Sequence, residues 1–262
     1  MTAVGGAGVV ITGAGAGIGA ALARRFVAEG ARVVVNDLDA DACRTVAAEV
    51  DGIALPGDAA SEEGVQALVS GARAALGAEI DIYCANAGVG EGSGLDASDA
   101  AWDRSWDVNV MAHVRAARLL TPAWVERGRG HLITTVSAAG LLTMLDAAAY
   151  SVTKHAAYAF AEWMSVTYGA KGVTVQAVCP LGVRTAMLGA TGEAGRLVLD
   201  DGAIEPEEVA EVVVEAAVAG TPFLVLPHPD VARMYAGRAA DPDRWLKGMR
   251  KLQARLEPDP PA

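Results

Sequence analysis

The chain has 262 residues, enough to bury one sizeable core, with 52% hydrophobic residues, only 5% aromatic ones and 30 glycines. A formal net charge of −11 excludes the basic stripe that a nucleic-acid partner requires and disfavours an anionic membrane surface. No uncharged apolar run reaches the roughly 18 residues of a membrane span, so no membrane partner is expected. Cys43, Cys84 and Cys179 lie far apart and form no C-x-x-C pair, which points to neither a zinc site nor a disulfide framework.

The first apolar stretch has no basic segment before it and runs straight into a glycine-rich turn, so it reads as a strand rather than a leader, and the expected location is cytoplasmic. In chain order, strands are expected at 9–11, 32–36, 52–55, 80–84, 131–136, 173–178 and 222–226. Segments of helical period lie between them at 17–29, 39–50, 61–76, 101–127, 150–168 and 206–219. Such alternation signals a parallel sheet covered on both faces, with a ligand crevice at the carboxyl ends of the strands. The organisation expected is therefore one doubly wound α/β domain of Rossmann type over 1–226, with seven parallel strands, and a helical tail over 227–262. Residues 181–204 show no clear period and read as a mobile lid.

The first strand ends in Thr12-Gly13-Ala14-Gly15-Ala16-Gly17-Ile18-Gly19, where missing side chains let backbone N–H groups approach a pyrophosphate at a helix N-terminus. Such a string alone is weak evidence, because a tight strand-to-helix turn uses the same glycines. Asp37 strengthens it: the residue ends the second strand about 20 residues on, where a carboxylate accepts from an adenosine ribose hydroxyl. It would also repel a 2′-phosphate, and neither Ala16 nor Leu38 offers a basic side chain, so the cofactor expected is NAD rather than NADP. Arg24 and Arg25 read as a solvated helix face.

Tyr150 and Lys154 stand four apart near the start of an Ala-rich helix and project from one face, and Ser137 ends a strand thirteen residues earlier. A phenol of ordinary pKa near 10 needs help to move a proton at neutral pH, and a neighbouring ammonium supplies it. A Tyr-x-x-x-Lys pair by itself is common on helix surfaces. Taken together and in order, these motifs resemble the short-chain dehydrogenase/reductase family over nearly the whole chain, from Val9 to about Leu226. The resemblance places the family's catalytic residues on Asn109, Ser137, Tyr150 and Lys154. Tyr150 would be the general acid/base, Ser137 would orient the substrate oxygen, Lys154 would hold the nicotinamide ribose and lower the Tyr pKa, and Asn109 would hold a relay water. It extends the cofactor contacts (Gly13, Gly15, Gly17, Ile18, Gly19 and Asp37) to Asp58, Ala59, Asn86, Ala87, Gly88, Pro180, Val183 and Thr185. It further implies a homodimer or homotetramer. The activity implied is oxidation of a secondary alcohol or reduction of a ketone, of unknown and apolar identity; the alternative is a silent dinucleotide-binding regulator.

Three departures from the family pattern stand out: Ala85 precedes Asn86-Ala87-Gly88, Leu181 stands where a glycine is usual with Gly182 one place later, and the tail replaces a Gly-rich finish. In that tail Asp241-Pro242 reads as a helix start, followed by Trp245, Met249, Leu252 and Leu256 on one apolar stripe beside a basic face. From residue 227 onward there are seven Lys or Arg against five Asp or Glu, so docking onto the acidic body or a neighbouring subunit is expected, close enough to narrow the substrate pocket. His113, His131, His155 and His228 show no metal-ligand spacing and read as structural, and no metal is expected. Trp102, Trp106 and Trp124 read as core or subunit packing.

Overall fold

A computed structural model describes residues 4–256; residues 1–3, and residues 257–262 at the end of the expected tail, lie outside the described residues. The seven strands are β1 (Gly8–Thr12), β2 (Arg32–Asn36), β3 (Ile53–Ala54), β4 (Ile82–Ala85), β5 (Gly130–Thr135), β6 (Val173–Val178) and β7 (Leu224–Val225). They form one sheet in the order β3-β2-β1-β4-β5-β6-β7, with every pairing parallel. The order reverses direction between β1 and β4, and this is where a crevice opens beyond the strand ends.

The helices are α1 (Gly17–Ala28), α2 (Ala40–Glu49), α3 (Glu62–Leu76), α4 (Asp99–Trp106), α5 (Ala112–Glu126), α6 (Ala148–Tyr168), α7 (Ala186–Gly189), α8 (Gly192–Leu199), α9 (Pro206–Ala219), α10 (Asp230–Ala240) and α11 (Pro242–Gln253). Successive strand side chains point to opposite faces, so the β-branched runs feed two cores. Val9, Ile11, Val33 and Val35 pack with Leu22 and Phe26 of α1 and Val209 and Val213 of α9. Val10, Val34, Tyr83 and Leu132 pack with Leu68 of α3, Leu120 and Trp124 of α5 and Ala157 and Ala161 of α6. Each fully buried Val or Leu contributes about 1.5–3 kcal/mol, which makes these two layers the main stabilising force. Small side chains on α6 let it lie close to the sheet. Asp39, Ser61, Ser98 and Asp241 cap α2, α3, α4 and α11 with side-chain oxygens, whereas α1 begins at Ala16 with no side-chain cap.

Four features differ from the sequence reading. The segment expected as one helix over 101–127 contains a π-helical turn at Asp107–Met111, centred on Asn109; apolar periodicity does not register one extra residue in a turn. The expected lid over 181–204 is mostly helical, as α7, α8 and a short 3₁₀ turn, because its two helices are too short to show a period. The tail holds α10 as well as the expected α11, and Val231 of α10 is fully buried in the second core. Finally β3 and β7 keep only two residues each, as edge strands do. The three cysteines are free and buried. No helix among the described residues is long and apolar enough to cross a membrane.

His131 is buried in β5 with Nε2 at 2.9 Å from Gln176 Oε1 of β6, and burial pushes its pKa down to about 4. Between about pH 6.5 and 4 the unfolded chain therefore binds a proton that the folded chain refuses. Stability should fall with pH across that window, by up to about 1.4 kcal/mol per pH unit from this group, and level off below it. Denaturant unfolding at pH 7, 6 and 5 should show a shallower pH dependence for His131→Asn, which can donate to Gln176 but does not titrate.

Candidate active site

A cavity of about 1610 Å³ runs along the carboxyl ends of the strands. Its floor on one side is the glycine-rich turn between β1 and α1. Gly13 and Gly17 hold φ of 62° and 51°, and a Cβ on Gly13 would lie 2.8 Å from Ala87 Cα. A Cβ on Gly19 would lie 2.2 Å from Gly13 O, closer than any side chain tolerates. The turn is clasped from below by polar side chains. Asn86 Nδ2 donates to Thr12 O and Gly13 O at 3.0 and 3.2 Å, Thr12 Oγ1 accepts from the N–H of Asn86 and Ala87, and Thr135 Oγ1 of β5 donates to Asn86 Oδ1 at 2.9 Å.

Gly13, Gly17, Ile18 and Gly19 line the cavity, as do Asp37, Asp58 and Ala59; Gly15 does not. Its N–H instead donates to Asp37 Oδ2 at 2.8 Å, so Gly15 orients the carboxylate rather than facing the opening. Asp58 has its oxygens taken by the N–H groups of Ala60 and Ser61; burial pushes its pKa up, but these hydrogen bonds outweigh it and leave the pKa lowered. Asn36, at the end of β2, ties β2 to the chain after β3 through Leu55 O and Gly57 O, while its buried Oδ1 has no partner among the described residues. Thr12, Asn36 and Thr135 were not singled out from sequence. Their signal, a polar residue at the carboxyl end of an apolar strand, was present.

Across the switch point Asn86, Ala87, Gly88, Ser137, Tyr150, Lys154, Pro180, Val183 and Thr185 complete the lining. Gly17 and Thr185 nearly touch, since a Cβ on Gly17 would lie 3.0 Å from Thr185 Cγ2, and the Thr185 hydroxyl caps α7. Tyr150 lies in the first turn of α6 and Lys154 one turn on, with Nζ 2.9 Å from Thr135 O and 5.6 Å from the Tyr150 ring centre. Burial pushes the Lys154 ammonium down to about 8 and pushes the Tyr150 phenol up, the Ser137 hydroxyl opposing the latter in part. The lowering of Tyr150 by Lys154 expected from sequence is thus not what the protein alone produces. The ammonium is aimed at the Thr135 carbonyl, and desolvation of the phenolate wins.

Asn109 is fully buried and lies behind the lining. Its Nδ2 donates to Val89 O and Thr153 Oγ1 and its Oδ1 accepts from Val89 N, tying the loop after β4 to α6. Ser137 has φ 144° and ψ 157°, a conformation that non-glycine residues adopt only under constraint. The constraint is visible on both sides of it: Val136 N–H donates to Val178 O, and Ala138 N–H donates to Pro180 O. Gly182 and Leu181, where the sequence departs from the family pattern, are also accounted for. A Cβ on Gly182 would lie 2.4 Å from Leu199 O, and the Leu181 N–H donates to Nδ1 of buried His228, whose Nε2 faces Gly202 O. Among the described residues no group of three or more His, Cys, Asp or Glu could hold a metal ion.

The family described as short chain dehydrogenase matches residues 7–195. A 1-deoxy-11-beta-hydroxypentalenate dehydrogenase of Streptomyces exfoliatus is 38% identical over 217 residues, covering 79% of this chain and 78% of that protein. Among solved structures, a short chain dehydrogenase/reductase from Burkholderia phymatum in complex with NAD superposes with a TM-score of 0.83 at 27% identity, over 92% of this chain and 95% of the other. A 7 alpha-hydroxysteroid dehydrogenase complexed with NADH and 7-oxo glycochenodeoxycholic acid gives 0.76 at 27% identity, over 85% and 92%.

The Ser137 backbone yields a test of stored strain. Both Ser137→Ala and Ser137→Gly lose the hydroxyl, but only glycine adopts this conformation freely, so the Gly variant should be the more stable by about 1–3 kcal/mol in denaturant unfolding. At an unstrained position the order is the reverse.

Proposed function

The chain belongs to the short chain dehydrogenase family, and from that premise we propose that it is an NAD-dependent oxidoreductase interconverting a secondary alcohol and a ketone, with Tyr150 as general acid/base. The observation that carries this reading is the meeting, on one cavity wall, of a strained Ser137, Tyr150 and a buried Lys154, opposite a glycine cradle that a single Cβ would block. A dinucleotide fits the residues present. The uncapped start of α1 offers N–H groups to a pyrophosphate, and Asp37 is already oriented by Gly15 to accept from a ribose diol. Bound there, NAD supplies the acceptor for the hydride that leaves the alcohol carbon.

The protein's own residues then divide the remaining work. In oxidation the Tyr150 oxygen takes the hydroxyl proton of the alcohol, and in reduction its O–H returns one to the ketone oxygen. The Ser137 hydroxyl holds that same oxygen in place. Lys154, anchored to Thr135 O, binds the ribose and keeps positive charge beside the phenol. Asn109 acts from behind the lining: its amide, engaged on Val89 O and Thr153 Oγ1, holds the loop after β4 against the turn of α6 that carries Lys154. A regulator that only bound dinucleotide would have no use for strain at Ser137. The substrate is read as apolar, on the support of walls at Leu142, Met144, Leu145, Met187 and Leu188 and of relatives named for a hydroxypentalenate and a hydroxysteroid. A homodimer through α4 to α6 is supported by exposed Trp106, Val152, Trp163 and Val166 on those helices.

With NAD and a panel of secondary alcohols, Tyr150→Phe should lower turnover by about 10²- to 10⁴-fold while NAD binding, followed by calorimetric titration, stays nearly unchanged. Retention of half the wild-type turnover, with chemistry limiting, would show that Tyr150 does not move the proton. The same titration should find NAD bound more tightly than NADP, and Asp37→Ala should narrow the gap. Equal binding of both cofactors by the wild type would remove Asp37 from cofactor selection.

A further inference from the structure

Arg238 of α10 is half-buried, yet no carboxylate lies within 4.0 Å of it among the described residues. Its guanidinium Nη1 donates to Leu141 O and points at His155 Nε2, 3.3 Å away. The neighbours dictate the state of that imidazole. Nδ1 is 2.8 Å from Ser151 O, which can only accept, so Nδ1 carries the proton; Nε2 faces a group that can only donate, so it presents its lone pair. Ser151 also accepts, at its Oγ, from Met144 N–H at 3.0 Å. The loop 141–144 and the α6 turn 151–155 are thereby joined to each other, and one arginine from the tail spans both.

These two segments carry one wall of the reaction cavity. Leu142 and Met144 line it from the loop, Lys154 sits on the joined turn of α6, and Tyr150 directly precedes that turn. From the other side the tail contributes Met234 of α10 and Trp245, Met249 and Leu252 of α11. No residue of α11 is fully buried: Trp245 packs against the edge of the second core, and Met249 and Leu252 find their cover in the cavity. A partly desolvated cation held by a carbonyl and an imidazole is a costly contact for a surface helix, whose apolar anchors are buried Val231 at its start and partly buried Met234 and Tyr235 one turn on, leaving Arg238 the contact that reaches the loop 141–144.

We propose that Arg238 is a positioning residue that latches the tail onto the catalytic helix, so that α10 and α11 roof the substrate end and select a bulky, rigid apolar alcohol over a small one. The proposal rests on the dehydrogenase reading for its substrate, but not for the latch itself. A small alcohol reaches Ser137 and Tyr150 without touching the roof. A large one has its far end against Trp245, Met249 and Leu252, and binds well only while the tail is held down. Losing the latch therefore weakens binding of the large substrate and leaves the chemistry at Tyr150 intact.

The full chain with NAD, a polycyclic hydroxysteroid as the large alcohol and cyclohexanol as the small one, tests this. Arg238→Met should raise KM for the hydroxysteroid by about tenfold or more with kcat little changed, and alter kcat/KM for cyclohexanol by less than about threefold. Arg238→Lys, which can serve one acceptor, should recover part of the loss. Hydrogen exchange over residues 230–253 reads the latch without any substrate: protection should drop in Arg238→Met and stay in Tyr150→Phe. Unchanged protection, or an equal effect on both alcohols, would overturn the proposal. If the wild type oxidised neither alcohol, the assignment of a bulky alcohol would fall with the activity reading, while loss of protection in Arg238→Met would still establish the latch.

Discussion

The site depends on how closely the backbone after β1 approaches the backbone after β4. Gly13 lies so near Ala87 that a single Cβ would stand 2.8 Å from Ala87 Cα, and Asn86, just beyond β4, fills the remaining gap by donating to Thr12 O and Gly13 O at the end of β1. That contact holds the switch point of the sheet at a fixed width. On one side it sets the glycine cradle and the N-terminus of α1. On the other it places Gly88 against Asn109 and Lys154, since a Cβ there would lie 3.3 Å from both Asn109 Oδ1 and Lys154 Nζ. A pair of turns thus locates the two halves of the site relative to each other.

Burial then determines the chemistry. Lys154 reaches the site with its stem enclosed and its ammonium on a backbone carbonyl, and the burial lowers its pKa to about 8. The neighbouring phenol moves the other way for the same reason, because removing water disfavours whichever form is charged. His113 shows the limit of this effect. It lies four residues beyond Asn109, neither ring nitrogen has a partner among the described residues, and burial with the nearby Lys154 charge pushes its pKa down to about 3, so it is neutral at physiological pH. Ser137 contributes a different constraint, a strained backbone fixed by the N–H groups on either side of it. Strain and desolvation both act against stability, and the two apolar layers on the sheet offset them.

The tail adds Met234, Trp245, Met249 and Leu252 to the lining of the cavity. Its basic, amphipathic α11 touches the second core through Trp245, and α10 is held by Val231, Met234 and Tyr235 on that core and by Arg238 on the loop after β5. His228, at the start of the tail, accepts the main-chain N–H of Leu181 at its Nδ1. The tail thereby reaches the loop after β6 through one imidazole, a bond to the main chain that does not depend on the side chain at 181.

Local pattern was enough to read much of this from the sequence. The alternation of β-branched runs with helical segments determined a parallel, doubly covered sheet, because a strand buried on both faces has few other compositions available. The order of the glycines, Asp37, Asn86, Ser137, Tyr150 and Lys154 determined which cavity they would share, since each motif sits at the carboxyl end of its own strand or on the helix beyond. What the sequence left open depends on contacts between segments far apart. The π turn at Asn109 arises from packing against α6 and the loop at Val89; the lid folds into helices too short to leave a period. The direction of the Tyr150 shift follows from burial, opposed in part by the Ser137 hydroxyl, and a spacing of four cannot encode it. Arg238 is the sharpest case. In sequence it is one more cation in a basic tail, and only the tertiary structure sets it between Leu141, 97 residues away, and His155, 83 residues away.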